Sequence, residues 1–158
     1  MPAIVPELIE MATKSNTSTT ELLRRALVVA ERLLLSDFAR WTTYELNGYT
    51  DKTPKYRVHN GIIKFINESG TAREFKVKSN ITTESHLYIT VTESIPEIEG
   101  ALKNNEIIYR IIKSPEITNP KVYADLGYRP AIILQKTKAI NIMETLTQIG
   151  RASCRERV

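Results

Sequence analysis

Residues 22–49 read LLRRALVVAERLLLSDFARWTTYELNGY, and the way their apolar positions recur decides what kind of fold this is. Leu22, Leu23, Ala26, Leu27, Val29, Ala30, Leu33 and Leu34 return at three- and four-residue steps, while Glu21, Arg24, Arg25, Glu31 and Arg32 fall on the other side. That period describes an amphipathic helix turned toward a core. Ser18 followed by Glu21 has the spacing of a capping box, in which the hydroxyl accepts from the third helical amide and the carboxylate reaches back to the cap amide. The helix is therefore predicted to begin at Thr19. Ser36 and Asp37 are placed to cap a further helix, DFARWTTYELN, which stops at Gly48, where a positive φ is favoured. Two helices with so short a joint form an αα-hairpin.

On the N-terminal side, VPELIEMAT reads as a short helix over residues 5–13 that sets Ile4, Leu8, Ile9 and Ala12 on one side. On the C-terminal side the period falls to two from Tyr56, and YRVHNGIIKFI, REFKVKS and HLYITVT read as strands. Asn60-Gly61 fits either a tight hairpin turn or a bulge in one long strand. Ser94 and Glu97 repeat the capping-box spacing before the short helix IPEIEGALKN. EIIYRII and PAIILQK add two strands, separated by a Pro- and Asn-containing loop of roughly fifteen residues. A last helix starts near Thr137, with Ile140, Met143 and Thr147 on one line and Ala139, Ile142 and Leu146 on its neighbour. Helices followed by strands predict an α+β fold. Its N-terminal helical hairpin and C-terminal helix pack on a small antiparallel or mixed sheet of about four to five strands.

With 158 residues, 42% hydrophobic and 25% charged, the chain suits one globular domain and not a disordered or coiled-coil protein. Arg24, Arg25, Glu31, Arg32 and Asp37 interrupt its most apolar stretch, so no membrane span is expected. MPAIVPELIE lacks the basic and apolar regions of a secretory signal, and a cytoplasmic location is the expectation. The closing QIGRASCRERV, residues 148–158, is similar to a translated sequencing adapter. Residues 149–158 are accordingly expected to be an adapter-derived artefact, and 1–148 a single domain truncated in its last helix. Without the three Arg and one Glu of that tail, 19 basic and 17 acidic residues leave a net charge of +2. Bulk charge then gives little reason to expect nucleic acid. Cys154, the one cysteine, lies in the same tail, which excludes disulfides and thiol chemistry from the remainder.

The stretch from Leu22 to Tyr49 resembles the start of the AbiTii domain family. Leu22, Leu23, Arg24, Arg25, Ala26, Leu27, Arg32 and Leu33 match its paired leucines, paired basic residues and following helix. Trp41, Glu45, Leu46, Asn47, Gly48 and Tyr49 match its Trp-containing helix and closing ELNGY. Pro54, Tyr56, Arg57 and Val58 match the segment that follows, and SIPEIEGAL and ILQKTKAINIMETLTQI are similar to later segments. The resemblance implies a role in bacterial abortive infection and antiphage defence, with a protein partner or a further domain of the same system.

Phe38, Trp41 and Glu45 stand at i, i+3 and i+7, which puts a carboxylate on the aromatic face of its helix. Such a Glu either acts as acid, base or ligand or is paired with an arginine. Asn47, Gly48 and Tyr49 end a helix or line a site. Arg24, Arg25, Arg40 and Arg57 would make a phosphate patch, but Glu21 and Asp37 neutralise two of them at helical spacing. Binding candidates are thus Arg40, Trp41, Glu45, Asn47, Tyr49 and Arg57, with Glu45 the one catalytic candidate. His59 and His86 have no Asp, Glu or Cys at ligand spacing, and no phosphate loop, nucleophile elbow or zinc motif is present, so neither cofactor nor metal is expected. Two functions compete. One is a binding, sensing or effector-coupling module; the alternative is a toxin-like effector enzyme such as a nuclease, using Glu45 with Arg40 or Arg57.

Overall fold

The structure is a computed structural model and describes residues 4–14, 16–74, 88–112 and 125–155. Its elements are α1 (Ile4–Thr13), α2 (Thr19–Arg32), α3 (Ser36–Asn47), a 3-10 turn (Lys55–Arg57), β1 (Val58–Asn60), β2 (Ile62–Asn67), β3 (Ala72–Arg73), β4 (Tyr88–Thr90), α4 (Ile95–Asn104), β5 (Tyr109–Ile111), β6 (Tyr128–Ile133) and α5 (Lys136–Arg155). This is the predicted α+β class. Most of REFKVKS, together with His86 and the loop before β6, lies outside the described residues.

The sheet is split in two. β3, β2, β6 and β5 form one antiparallel sheet in that order, and β1 pairs with β4 as a separate antiparallel ribbon. Asn60-Gly61 is thus neither of the alternatives read from sequence, because β1 and β2 do not pair with each other and do not continue as one strand. The chain passes from the ribbon to the four-stranded sheet at Gly61, where an added Cβ would stand 2.0 Å from Cγ2 of Ile132 on β6. Only a residue without a side chain lets β2 run this close to its neighbour.

Leu23 of α2, Ile89 and Val91 of the ribbon, Ile95 and Ile98 of α4, Leu134 after β6, and Ala139, Ile142 and Leu146 of α5 form the main core. Trp41, Tyr56 and Ile132 pack against it. The hairpin and the last helix therefore meet the sheets through one continuous apolar layer. Leu8 of α1 covers Ala26 and Val29 in a second, smaller cluster.

Capping follows the sequence at two of three sites. The Ser94 side chain and the Glu97 carboxylate make the full reciprocal box, while at Ser18 the hydroxyl accepts from the Glu21 amide at 3.0 Å. At α3 the helix begins one residue earlier than the caps read from sequence: the cap residue is Leu35, which has no acceptor to offer, while Ser36 and Asp37 lie in the first turn and Asp37 pairs with Arg40.

Three apolar residues expected to face inward do not. Leu33 and Leu34 are 52% and 89% exposed because α2 stops at Arg32 and the chain turns away from the core, Leu34 taking φ +56°. Ile9 on α1 is also exposed, at the edge of its helix, although its neighbour Leu8 is buried. The helical period continued further along the sequence than the helix itself.

Candidate functional site

Burial of charge is the chemical signal of this structure. Glu45 on the last turn of α3 and Arg57 at the end of the 3-10 turn each have side chains with no exposed surface, and they form an ion pair. Arg57 Nη2 donates to Glu45 Oε2, and Arg57 Nη1 donates to the Glu93 carbonyl at 2.8 Å. Tyr49 donates its hydroxyl to Glu45 Oε1 at 2.5 Å, and the Tyr56 hydroxyl donates to the same oxygen. Tyr56 in turn accepts from the Trp41 indole N–H at 2.8 Å. The guanidinium also lies over the Tyr49 ring, 5.3 Å from its centroid. An ion pair in so dry a setting persists only when its remaining hydrogen-bonding capacity is filled. Here only Arg57 Nε lacks a partner.

The local sequence explains this convergence. Trp41, Glu45 and Tyr49 follow at four-residue steps, so helix geometry stacks the first two on one face. Gly48 then breaks the helix with φ +89° and brings its backbone against the ribbon, an added Cβ standing only 2.9 Å from the Thr92 carbonyl. That contact lets the Tyr49 amide donate to the Thr92 carbonyl at 2.9 Å, which fixes the tyrosine beside the carboxylate. Pro54 to Arg57 tighten into the 3-10 turn, delivering Tyr56 and Arg57 from the other side.

A second charged contact continues the chain of polar groups toward the surface. Arg110 on β5 donates to both Glu93 oxygens, at 2.6 and 2.9 Å, and to the Thr92 hydroxyl at 3.0 Å. Burial on its own would raise the Glu93 carboxyl; the bonds from Arg110, with help from its own backbone amide and from Arg57, more than cancel this and hold it below the usual carboxylate range. Burial first, and then the bond to Glu45, pushes the Tyr56 hydroxyl up to about 12 and the Tyr49 hydroxyl well above the tyrosine range. Both phenols remain neutral donors at any physiological pH.

Of the residues chosen from sequence, Trp41, Glu45, Tyr49 and Arg57 meet in this network. Arg40 and Asn47 are not part of it: Asn47 is exposed, and Arg40 is exposed and paired with Asp37. Arg24 and Arg25 lie on the solvent face of α2, where Arg25 is shared between Glu7 and Glu21. Four arginines therefore do not make one patch. Tyr56, Glu93 and Arg110 were missed as site residues. Tyr56 had a signal, since it precedes Arg57 in the motif; Glu93 and Arg110 had none that a single sequence can display. No group of three or more His, Cys, Asp or Glu able to hold a metal occurs among the described residues.

Glu45 and Tyr49 of the ELNGY corner and Tyr56 and Arg57 of the turn that follows thus meet in one buried network. The sequence model of the AbiTii family matches residues 3–149, nearly the whole chain. The chain belongs to the AbiTii family. No curated protein and no solved structure matches it. The AbiTii match ends at Ile149, while α5 continues to Arg155 and the Arg151 guanidinium donates to the Ala12 carbonyl. No helix among the described residues is long and apolar enough to cross a membrane.

Proposed function

We propose that this AbiTii domain is a binding, sensing or effector-coupling module of an antiphage abortive-infection system, acting in the cytoplasm on a protein partner or a further domain of the same system. The observation that carries the reading is the complete burial of Glu45 and Arg57. An acid or base must reach the proton it moves. Glu45 has both oxygens committed to Arg57, Tyr49 and Tyr56 inside the protein, so a nuclease built on it with Arg57 would have no approach for substrate. Arg40, the other proposed helper, is exposed and outside the network.

The network instead suits a rigid corner that presents the helical hairpin. At the turn of that hairpin Leu33 and Leu34 are exposed, and Leu34 keeps a positive φ that costs a leucine energy. Apolar side chains held out in this way fit a surface that meets a protein. The test is phage challenge of cells carrying the gene that encodes this chain, with and without the AbiTii domain. The reading expects protection that disappears when the domain is removed. Equal survival with and without the domain, across several phages, would overturn it.

A further inference from the structure

A partly open cavity of about 110 Å³ lies between α1, α2, α3 and α5. Its walls include Leu8, Leu22, Ala26, Phe38, Trp41 and Leu146, and Phe38 and Trp41 stack there with ring centroids 5.4 Å apart. Several polar groups on the lining are already engaged. The Trp41 indole N–H donates to Tyr56, the Thr13 hydroxyl to the Glu10 carbonyl, the Thr19 amide to Glu99, and the Arg151 guanidinium to the Ala12 carbonyl. A water molecule needs two to four polar partners, and an apolar cavity without them stays dry and accepts small apolar molecules. A cationic ligand would forfeit its hydration there with nothing to replace it, Arg151 being the one charged side chain on the lining.

We infer that this cavity is a binding site for a small apolar molecule of about the size of one aromatic ring or a short acyl chain. It gives the module a ligand class. The site's existence does not depend on the module reading, and only its use in defence rests on that reading. The apolar wall named above lies within the residues matched by the AbiTii family, and Gly150 and Arg151 complete the lining beyond that match. Trp41 gives the site a connection to the buried network, since the same indole that forms the wall donates to Tyr56, which donates to Glu45.

Trp41 is also the one tryptophan of the chain, so occupancy can be read from its emission. Toluene titrated into the purified chain is expected to change that emission saturably and to raise Tm by a few degrees near saturation, because a ligand that binds only the folded state stabilises it. Two substitutions occupy the space from different walls, Ala26→Leu on α2 and Ala12→Phe on α1. Whichever folds is expected to bind toluene at least about tenfold more weakly, the cavity having been filled. Benzylammonium, the same ring with a charge that Arg151 repels, is expected to give no response. Absence of any change with toluene up to its solubility limit, an undiminished response in a folded filled variant, or a benzylammonium response equal to toluene's would each overturn the assignment. Loss of the toluene response while phage protection persists would remove this site and leave the module reading standing.

Discussion

Arg57 reaches Glu45 across the gap between the last turn of α3 and the turn before β1, and neither side chain has any surface left in contact with solvent. Burial of this kind makes the pair asymmetric in its energetics. Taking both charges out of water costs about as much as their attraction returns, but removing one leaves the other unpaired in a dry site. Arg57→Met and Glu45→Gln are each expected to lower unfolding stability by about 3–5 kcal/mol. The double variant is expected to lose clearly less than the sum of the two. Denaturant melts of all four proteins check this, and additive losses would show that the two side chains do not act as a pair.

Gly48 is the hinge on which the corner depends. Its φ of +89° excludes most other residues, and a Cβ would crowd the Thr92 carbonyl at 2.9 Å. Gly48→Ala is expected to cost about 1–3 kcal/mol and to weaken the Tyr49 amide bond to Thr92. Gly100 on α4 has nothing near an added Cβ, so Gly100→Ala is expected to stabilise by roughly 0.5–1 kcal/mol. Thermal melts that ranked the two substitutions the other way would refute the geometry.

Protonation should report on the site and on His59, two residues after Arg57. Burial, with Lys138 and Arg57 close by, holds His59 below its ordinary value of 6.5, and its Nε2 has no partner. The unfolded chain takes up that proton first, so stability is expected to fall as pH drops below 6.5, and His59→Phe to flatten that slope. Glu93 is shifted in the same direction for a different reason, its bonds from Arg110 outweighing burial, so the stability it contributes is present above about 4.5 and is lost as pH falls further. For Tyr56, raised from 10 to about 12, the unfolded chain loses its proton first, and stability declines as pH rises above 10. Urea midpoints measured across pH, with Glu93→Gln and Tyr56→Phe as references, test each window separately.

Leucines that look alike in sequence should respond differently to substitution. Leu23 is 4% exposed in the main core and Leu33 is 52% exposed beyond the end of α2. Leu23→Ala is expected to cost about 2–5 kcal/mol. Leu33→Lys should change stability by no more than about 0.5 kcal/mol. Similar losses at both positions would place Leu33 in the core after all.

The contrast between these leucines marks how far local pattern carries. Helix starts at Thr19 and Ile95 were legible because Ser18 and Ser94 act within one turn, and the core line Ala139, Ile142 and Leu146 because a helix repeats its face. Where α2 would end was not legible, since Leu33 and Leu34 continue the apolar period and nothing local reveals that the chain turns outward. The division of the strands at Gly61 depends on Ile132, seventy-one residues away by numbering, so the Asn-Gly pair suggested a turn that tertiary contact did not use. In the site, the i to i+4 step placed Trp41 and Glu45 together from sequence, and the choice of Arg57 over Arg40 as partner was a matter of tertiary packing. Glu93 and Arg110 belong to elements whose pairing has no local signature at all.

The central claim is that Glu45 holds the corner together and performs no chemistry. Its most direct test is phage protection by the gene carrying Glu45→Gln, measured in the same cells as the amount of folded protein, at a temperature low enough for a fraction of the variant to fold. The account predicts that protection tracks the folded amount and matches the natural sequence when the two are equal. Protection lost at an equal folded amount, with Trp41→Ala at the same level still protective, would contradict it and return Glu45 to a catalytic role.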